Sequence, residues 1–298
     1  MRICILAKHI PPASTDGIPR NRWQYARLFH KHGWDVHIIT NGIAGVEEFR
    51  EGIYIHEVAP EEYDIKEKII DRLVYKEEDK HLLAYSYAVY KRIKKLNQLF
   101  PVDIIDHSLW GLEGLITKIK LSHIPMLTRV DTTSRLINEI NYPERENEFS
   151  VQNQLEQFIL LNTDALVFNS WSVLKETQRL YEMNFEGRSY AVIHHGINTQ
   201  HTKPVSASFS SNGKFKILVP GRLEKRKGTA ILINSVLPHL VAEKNDVEIH
   251  FAGKDNSDWD GFKEAEGLSY TDFIKRKWSK EIGKKIFLHG YISDKELM

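Results

Sequence analysis

The segment Gly221-Arg222-Leu223-Glu224-Lys225-Arg226-Lys227-Gly228 places four cations between two glycines. It follows the apolar run Phe215 to Val219 and precedes a helical pattern that begins near Thr229. A strand that delivers a glycine-bounded loop to a helix start gathers unpaired N–H groups and the positive end of the helix dipole at one point, where anions bind. Arg222, Lys225, Arg226 and Lys227 add full charges there. Arg suits bidentate phosphate contact and Lys a point charge. The chemistry is that of an anion cradle; a solvated basic turn accounts for the same spacing equally well.

Other residues could do chemistry at strand ends. Asp106 and His107 close an apolar run, where they can meet an acceptor molecule or simply make strand-end hydrogen bonds. His195 directly precedes Gly196 and is placed near an interdomain cleft. Asp258-Trp259-Asp260 has the spacing of acids that hold a metal-bound nucleotide, yet a three-residue pattern with two common acids carries little weight, and a metal is not expected there. His30/His32 and His194/His195 lack the one-turn spacing of two ligands on a helix face. Trp23, Tyr25 and Phe29 fall within one expected helix and are read as packing residues.

The elements that position these residues alternate between short β-rich runs and helical patterns. Arg2 to Ala7, Arg20 to His32 and Asp35 to Thr40 set the rhythm of a parallel sheet with crossover helices. Further strands are expected at Ile53 to Val58, Asp103 to His107, Met126 to Asp131, Ala165 to Phe168 and Tyr190 to His194. A polar stretch with Pro204 and several serines separates them from a fresh start at Phe215, where strand, loop, helix and the strand Val247 to Phe251 form another βαβ unit. Pro238 is expected to bend or end that helix. The expected domains are 1–200 and 214–298, joined by a linker at 201–213. The fold class is α/β: two Rossmann-like doubly wound domains facing each other across a cleft.

Composition bounds the function. The chain has 298 residues, 42% of them hydrophobic, enough for two cores. Its 41 basic and 40 acidic residues give a net charge of +1 and no reason to expect nucleic acid as a partner. The one cysteine, Cys4, lies in an apolar run, which excludes an internal disulfide and points to a reducing compartment. No apolar run nears the roughly 20 residues of a membrane span. A cytoplasmic protein is expected, at most peripheral at the inner face of the membrane. Lys91-Arg92-Ile93-Lys94-Lys95 offers a weak membrane contact, although a solvated helix face is the better reading.

The order and spacing of these motifs resemble the GT-B glycosyltransferases, specifically the retaining enzymes of family 4, also called glycosyl transferases group 1. The resemblance covers nearly the whole chain. It rests on the loop Asp16-Gly17-Ile18, Gly33-Trp34-Asp35-Val36, Asp103-Ile104-Ile105-Asp106, Asp164 to Ser170 and Val192 to Asn198, and is strongest at Gly221-Arg222-Leu223-Glu224 with Lys227-Gly228. It implies that Arg222 and Lys227 hold the diphosphate of a nucleotide sugar and stabilise the charge that grows on it as the glycosidic bond breaks. Gly221 belongs to the same loop, and Gly17 would let backbone N–H groups approach that phosphate; a tight turn before the helix is the alternative for Gly17. Such enzymes work without a divalent metal, so no cofactor is expected. Where relatives often carry a histidine near the reacting sugar, this chain has Asp131, whose ionised carboxylate must be offset, with Arg129 or Arg135 available for it.

The resemblance implies a sugar transfer to a carbohydrate or lipid-linked hydroxyl acceptor with retention, in polysaccharide or glycolipid biosynthesis. Relatives continue beyond the match to Phe287–Leu297 by about one more βαβαβ half, which carries paired glutamates that contact the donor. The second domain is therefore expected to be incomplete, with about three strands, an open edge and an uncovered apolar face. Either the chain is C-terminally truncated or a partner chain completes it, and turnover is expected to be low. A non-catalytic GT-B-like assembly subunit is the alternative. A dinucleotide-dependent oxidoreductase is disfavoured, because neither strand-loop-helix start has the Gly-x-Gly-x-x-Gly fingerprint.

Overall fold

The computed structural model describes residues 1–14, 16–60, 77–143, 150–196, 213–243 and 246–293. The expected linker at 201–213 lies, apart from Gly213, outside the described residues. Contacts divide the chain into two compact units, Met1–Leu136 with Asn147–Ile197 and Ile137–Glu146 with Asn198–Met298.

In the first unit the chain runs β1 (Arg2–Leu6), α1 (Gly17–Lys31), β2 (Asp35–Asn41), β3 (Glu47–Arg50), β4 (Ile53–Val58), the helix Glu77–Leu99, β5 (Ile104–Ser108), the helix Leu115–Lys120, β6 (Met126–Val130), the start of the helix Ser134–Asn141, which belongs to the second unit from Ile137 on, the helix Val151–Asn162, β7 (Ala165–Phe168), the helix Trp171–Tyr181 and β8 (Tyr190–Val192). The strands form one sheet in the order β3-β4-β2-β1-β5-β6-β7-β8. All pairs are parallel except β3 with β4. β3 was not anticipated; its sequence, Glu-Glu-Phe-Arg, is largely exposed at the sheet edge and lacks the apolar alternation that marks a half-buried strand.

The unbroken apolar run of β1 is what a strand covered on both faces requires. Ile3 and Ile5 join Ala26 of α1, Val36, Ile38, Ile53 and Ile55 in one core. Cys4 and Leu6 point the other way, into a core with Tyr85, Val89, Ile93 and Leu96 from the helix Glu77–Leu99. The Cys4 thiol is pushed up to about 12 by burial, so it behaves as a small apolar side chain. The sheet order reverses between β1 and β5, and in open α/β sheets ligands bind beyond the carboxyl ends of strands at such a point.

The second unit holds the parallel sheet β11-β10-β9, made of β9 (Phe215–Pro220), β10 (Val247–Ala252) and β11 (Ile286–Gly290). Its core joins Leu223, Ile233, Leu237, Ile249, Phe251, Phe262, Tyr270, Ile274 and Ile286. Among the described residues β9 is an edge strand, and Phe215 and Leu218 are exposed. Pro238, expected to bend or end the helix, does not end it. A π turn over Leu232–Val236 leads into the α-helix Leu237–Glu243, where the proline sits in the first turn and needs no N–H partner. Among the described residues no helix is long and apolar enough to cross a membrane. In the basic cluster of the helix Glu77–Leu99, Ile93 is core and Arg92 pairs with Glu47, which leaves Lys91, Lys94 and Lys95 exposed.

Candidate functional site

Each unit carries a polar cluster at the carboxyl ends of its parallel strands. In the first unit β5 ends at Asp106 and Ser108, β6 at Arg129 with Asp131 next, and β7 is followed by Asn169. The register aligns Ser108 with Arg129 and Val130 with Phe168, so these side chains stand side by side. Arg129 clamps Asp106: its Nε donates to both carboxylate oxygens at 2.9 Å and its Nη2 donates to Oδ2 at 2.7 Å. Asp106 is thus a buried ion-pair partner rather than a group facing an acceptor. His107 is fully buried beside it, with Nδ1 2.8 Å from the Ser108 carbonyl and Nε2 2.8 Å from the Thr128 hydroxyl. Burial pushes its pKa down to about 4, and the ring is neutral.

Asp131 is the hub of this cluster. Its Oδ2 accepts from Arg22 Nη2 at 3.1 Å and from the Ser108 hydroxyl at 3.3 Å, and its Oδ1 lies 3.3 Å from His195 Nε2. Burial alone would raise its pKa; the hydrogen bond from His195 and the Arg22 charge outweigh it and hold the carboxyl below the usual range. The charge is therefore offset, though not by the residues the sequence suggested. Arg129 belongs to Asp106, while Arg135 donates to the Leu180 carbonyl and lies over the Tyr181 ring. Arg22 supplies the charge from α1, buried on the same face as Ala26 one turn on.

His195, with its side chain 37% exposed, is the solvent-facing member. Its Nδ1 lies 3.3 Å from the Tyr25 hydroxyl. Its Nε2, which faces Asp131, also lies 3.4 Å from Asn169 Nδ2. Tyr25 packs against a cation as well: its ring carries the Arg129 guanidinium 4.2 Å from the centroid. Beneath the cluster, Glu113 Oε1 accepts from the Lys8 amide at 2.7 Å and so holds the chain as it leaves β1. Burial pushes the Glu113 pKa up to about 7. Gly17 opens α1 with ordinary backbone geometry, and a Cβ there would meet nothing within 4 Å, so a tight turn does not require it.

In the second unit the basic loop follows β9. Gly221 and Gly228 adopt φ values of 115° and 77°, conformations that a side chain disfavours. Gly253, at the end of β10, is needed for a different reason: a Cβ would lie 1.8 Å from the Gly221 carbonyl oxygen. Backbone bonds from Gly221 to Ala252, Leu223 to Lys254 and Gly253 to Gly290 tie the three strand ends together.

The loop's amides are mostly used internally. Lys227 and Thr229 donate to the Glu224 carbonyl, Gly228 to that of Lys225, Glu224 to the Thr229 hydroxyl and Lys225 to the Asp260 carboxylate. The expected nest of unpaired N–H groups is thus largely absent, and anion attraction falls to side chains. Lys225 Nζ donates to the Asn141 carbonyl at 2.8 Å, and Arg226 donates to Glu224 at 2.7 Å. Arg222 is exposed, with only a 3.5 Å ion pair to Glu224, and Lys227 is exposed with no partner among the described residues. Leu223 of the loop lines a cavity of about 310 Å³ together with Gly253, Thr271, Lys275, His289 and Gly290.

The sequence profile of Glycosyltransferase Family 4 matches residues 16–201. The chain belongs to glycosyltransferase family 4. Solved structures agree on the fold. Sucrose-phosphate synthase from Thermosynechococcus elongatus superposes with a TM-score of 0.69 at 17% identity, over 99% of this chain and 72% of that one. The α,α-trehalose-phosphate synthase (UDP-forming) from Burkholderia xenovorans, solved with glucose-6-phosphate, gives a TM-score of 0.57 at 13% identity, over 99% and 76%. The fold is GT-B. No match was found among curated proteins.

Several signals in this glycosyltransferase have structural work instead. Asp260 of the Asp-x-Asp pattern is buried and accepts from the Lys225 and Phe262 amides and the Tyr270 hydroxyl, which fixes the basic turn. Asp258 pairs with Lys263. Among the described residues no group of three or more His, Cys, Asp or Glu is arranged to hold a metal. Arg22, Ser108, Asn169, Glu113 and Gly253 were missed. An arginine on the apolar stripe of α1 and a glycine ending the strand beside Gly221 are the two signals that could have found any of them.

Proposed function

We propose that this family 4 glycosyltransferase moves a sugar from a nucleotide-diphosphate donor to a hydroxyl acceptor with retention of configuration, in polysaccharide or glycolipid assembly. The observation that carries the reading is the division within the basic loop. Of its four cations, Lys225 and Arg226 are bound to protein oxygens, while Arg222 and Lys227 stand exposed on a glycine-bounded turn. Two cations fixed at one turn are suited to a diphosphate, whose charge grows as the glycosidic C–O bond breaks. The reading assigns that role to them and to Gly221, with no resident metal. Asp131 and His195 serve the acceptor side, where the pair can accept a hydrogen bond from the attacking hydroxyl. Asp106 and His107 support them from beneath. The buried Cys4 is compatible with a cytoplasmic site of action.

A thermal-shift screen of UDP- and GDP-sugars tests donor binding, since a true ligand raises the melting temperature by mass action. NMR of the transferred anomeric centre then tests stereochemistry. A retained configuration is expected, and an inverted one contradicts the reading. One observation favours a second reading, a non-catalytic GT-B subunit: Asp131, where relatives often have a histidine, is locked against Arg22. Donor binding with no transfer would select it.

A further inference from the structure

Two buried histidines stand side by side on β2 and β4. His37 Nδ1 lies 2.8 Å from His56 Nε2, and a carboxylate faces each end of the pair. His37 Nε2 is 3.4 Å from Asp35 Oδ1, and His56 Nδ1 is 2.7 Å from Glu47 Oε2 on the edge strand β3. Three contacts need three hydrogens; ionised carboxylates bring none, and two neutral rings bring two. Arg92 of the helix Glu77–Leu99 brings the third. Its Nη2 pairs with Glu47 Oε1 and lies 2.6 Å from His56 Nδ1. The count is met when Arg92 donates to His56 Nδ1, His56 Nε2 donates to His37 Nδ1 and His37 Nε2 donates to Asp35.

The same space suits a proton. A protonated His56 donates from Nδ1 to Glu47 directly and presents Arg92 with a like charge in place of an acceptor. Glu47 is half exposed, so the proton can arrive from solvent. The seat satisfies Arg92 only in part: its Nε is buried with no partner among the described residues, while Lys91, Lys94 and Lys95 beside it face water. We propose that this chain of groups is a proton-operated latch, in which a proton on His56 takes over the Glu47 carboxylate and ejects Arg92, freeing the helix Glu77–Leu99 from β3. Among the described residues, the charged groups that act on the two rings are Arg2 from β1, Asp35 from β2, Glu47 from β3 and Arg92 from the helix. Burial and the Arg92 charge, opposed by Glu47, push the His56 pKa down to about 4, and burial lowers that of His37. Both rings are therefore neutral at neutral pH with Arg92 seated, and the latch opens as pH falls from 6.5, the ordinary histidine value, toward 4. The helix it frees also braces the polar cluster, since the Ser86 hydroxyl donates to the Glu113 carbonyl at 3.2 Å.

Long-range proton–nitrogen NMR on the whole chain reads the tautomer and charge of each ring, with His37→Gln and His56→Gln used to assign the signals. Near neutral pH both rings should carry their hydrogen on Nε2. Acidification should protonate His56 and shift the Arg92 side-chain resonance with the same midpoint. Arg92→Met should raise the His56 midpoint by about one pH unit or more, because the competitor for Glu47 is gone, and Glu47→Gln should lower it. None of these readings depends on sugar transfer. A hydrogen on Nδ1 of neutral His56, an unmoved midpoint in Arg92→Met, or an Arg92 resonance indifferent to the protonation of His56 would each overturn the latch. The first of these needs neither a variant nor acid, so it decides the matter even where a variant fails to fold.

Discussion

Arg22 and Asp131 are 109 positions apart, yet they meet in a buried ion pair with Nη2 3.1 Å from Oδ2. Removing one partner leaves the other charge uncompensated, which typically costs more than the pair itself contributes. Arg22→Met should lower stability by about 3 kcal/mol at neutral pH. Adding Asp131→Leu to that variant should recover part of the loss, because the orphaned carboxylate goes with it. Guanidinium unfolding of the single and double variants measures this, and simple addition of the two losses would contradict the coupling.

His107 makes the stability depend on pH with a definite sign. Its pKa is about 4 folded against 6.5 for the free group, so between those values the unfolded chain binds a proton that the folded chain refuses. Its contribution is fully present above pH 6.5 and is lost as pH falls toward 4, by about 1.4 kcal/mol per unit. His107→Gln should become relatively more stable than the wild type, beyond its difference at pH 7.5, as pH drops. Denaturant midpoints across that range read the effect.

Glu113 acts in the opposite direction. Its pKa is about 7 folded against 4.5 for the free group, so the folded chain holds a proton over that window and stability falls as pH rises through it. Glu113→Gln can keep the bond from the Lys8 amide while removing the titration. It should match the wild type near pH 4 and exceed it by about 3 kcal/mol above pH 8. A constant difference at all pH values would mean that Glu113 is ionised when folded.

Gly253→Ala should damage the second unit alone. The added methyl would overlap the Gly221 carbonyl oxygen, and backbone cannot move aside as a flexible side chain can. The expected result is a loss of several kcal/mol in the unfolding of that unit, together with weakened nucleotide binding, since the displaced peptide precedes Arg222. Unchanged binding and stability would mean that the strand ends are less tightly joined than the geometry indicates.

Much of this fold was legible because parallel strands advertise themselves. Ile3 to Ala7 is apolar throughout because both faces of β1 are covered, and Ala165–Phe168 emerged with its expected bounds. The basic loop was legible from its glycines and charges. The pairing inside the site was not. Asp131 could be placed at a strand end, but its partner Arg22 lies on a helix, where an arginine ordinarily reads as solvent-facing. Tyr25 looked like core for the same reason, since helical spacing gives a side chain's direction but not what stands opposite. The loop amides were expected to be free because nothing local revealed that the Glu224 and Lys225 carbonyls and the Asp260 carboxylate would consume them.

The central claim is that Arg222 and Lys227, rather than their neighbours, grip a diphosphate. Isothermal titration of UDP and GDP against the wild type and the alanine variants at 222, 225, 226 and 227 tests it most directly. Arg222→Ala and Lys227→Ala should each lose roughly 1.5 to 3 kcal/mol of binding, about ten- to a hundredfold. Lys225→Ala and Arg226→Ala should change affinity by less than about threefold. Wild-type affinity in both the Arg222 and Lys227 variants would contradict the account.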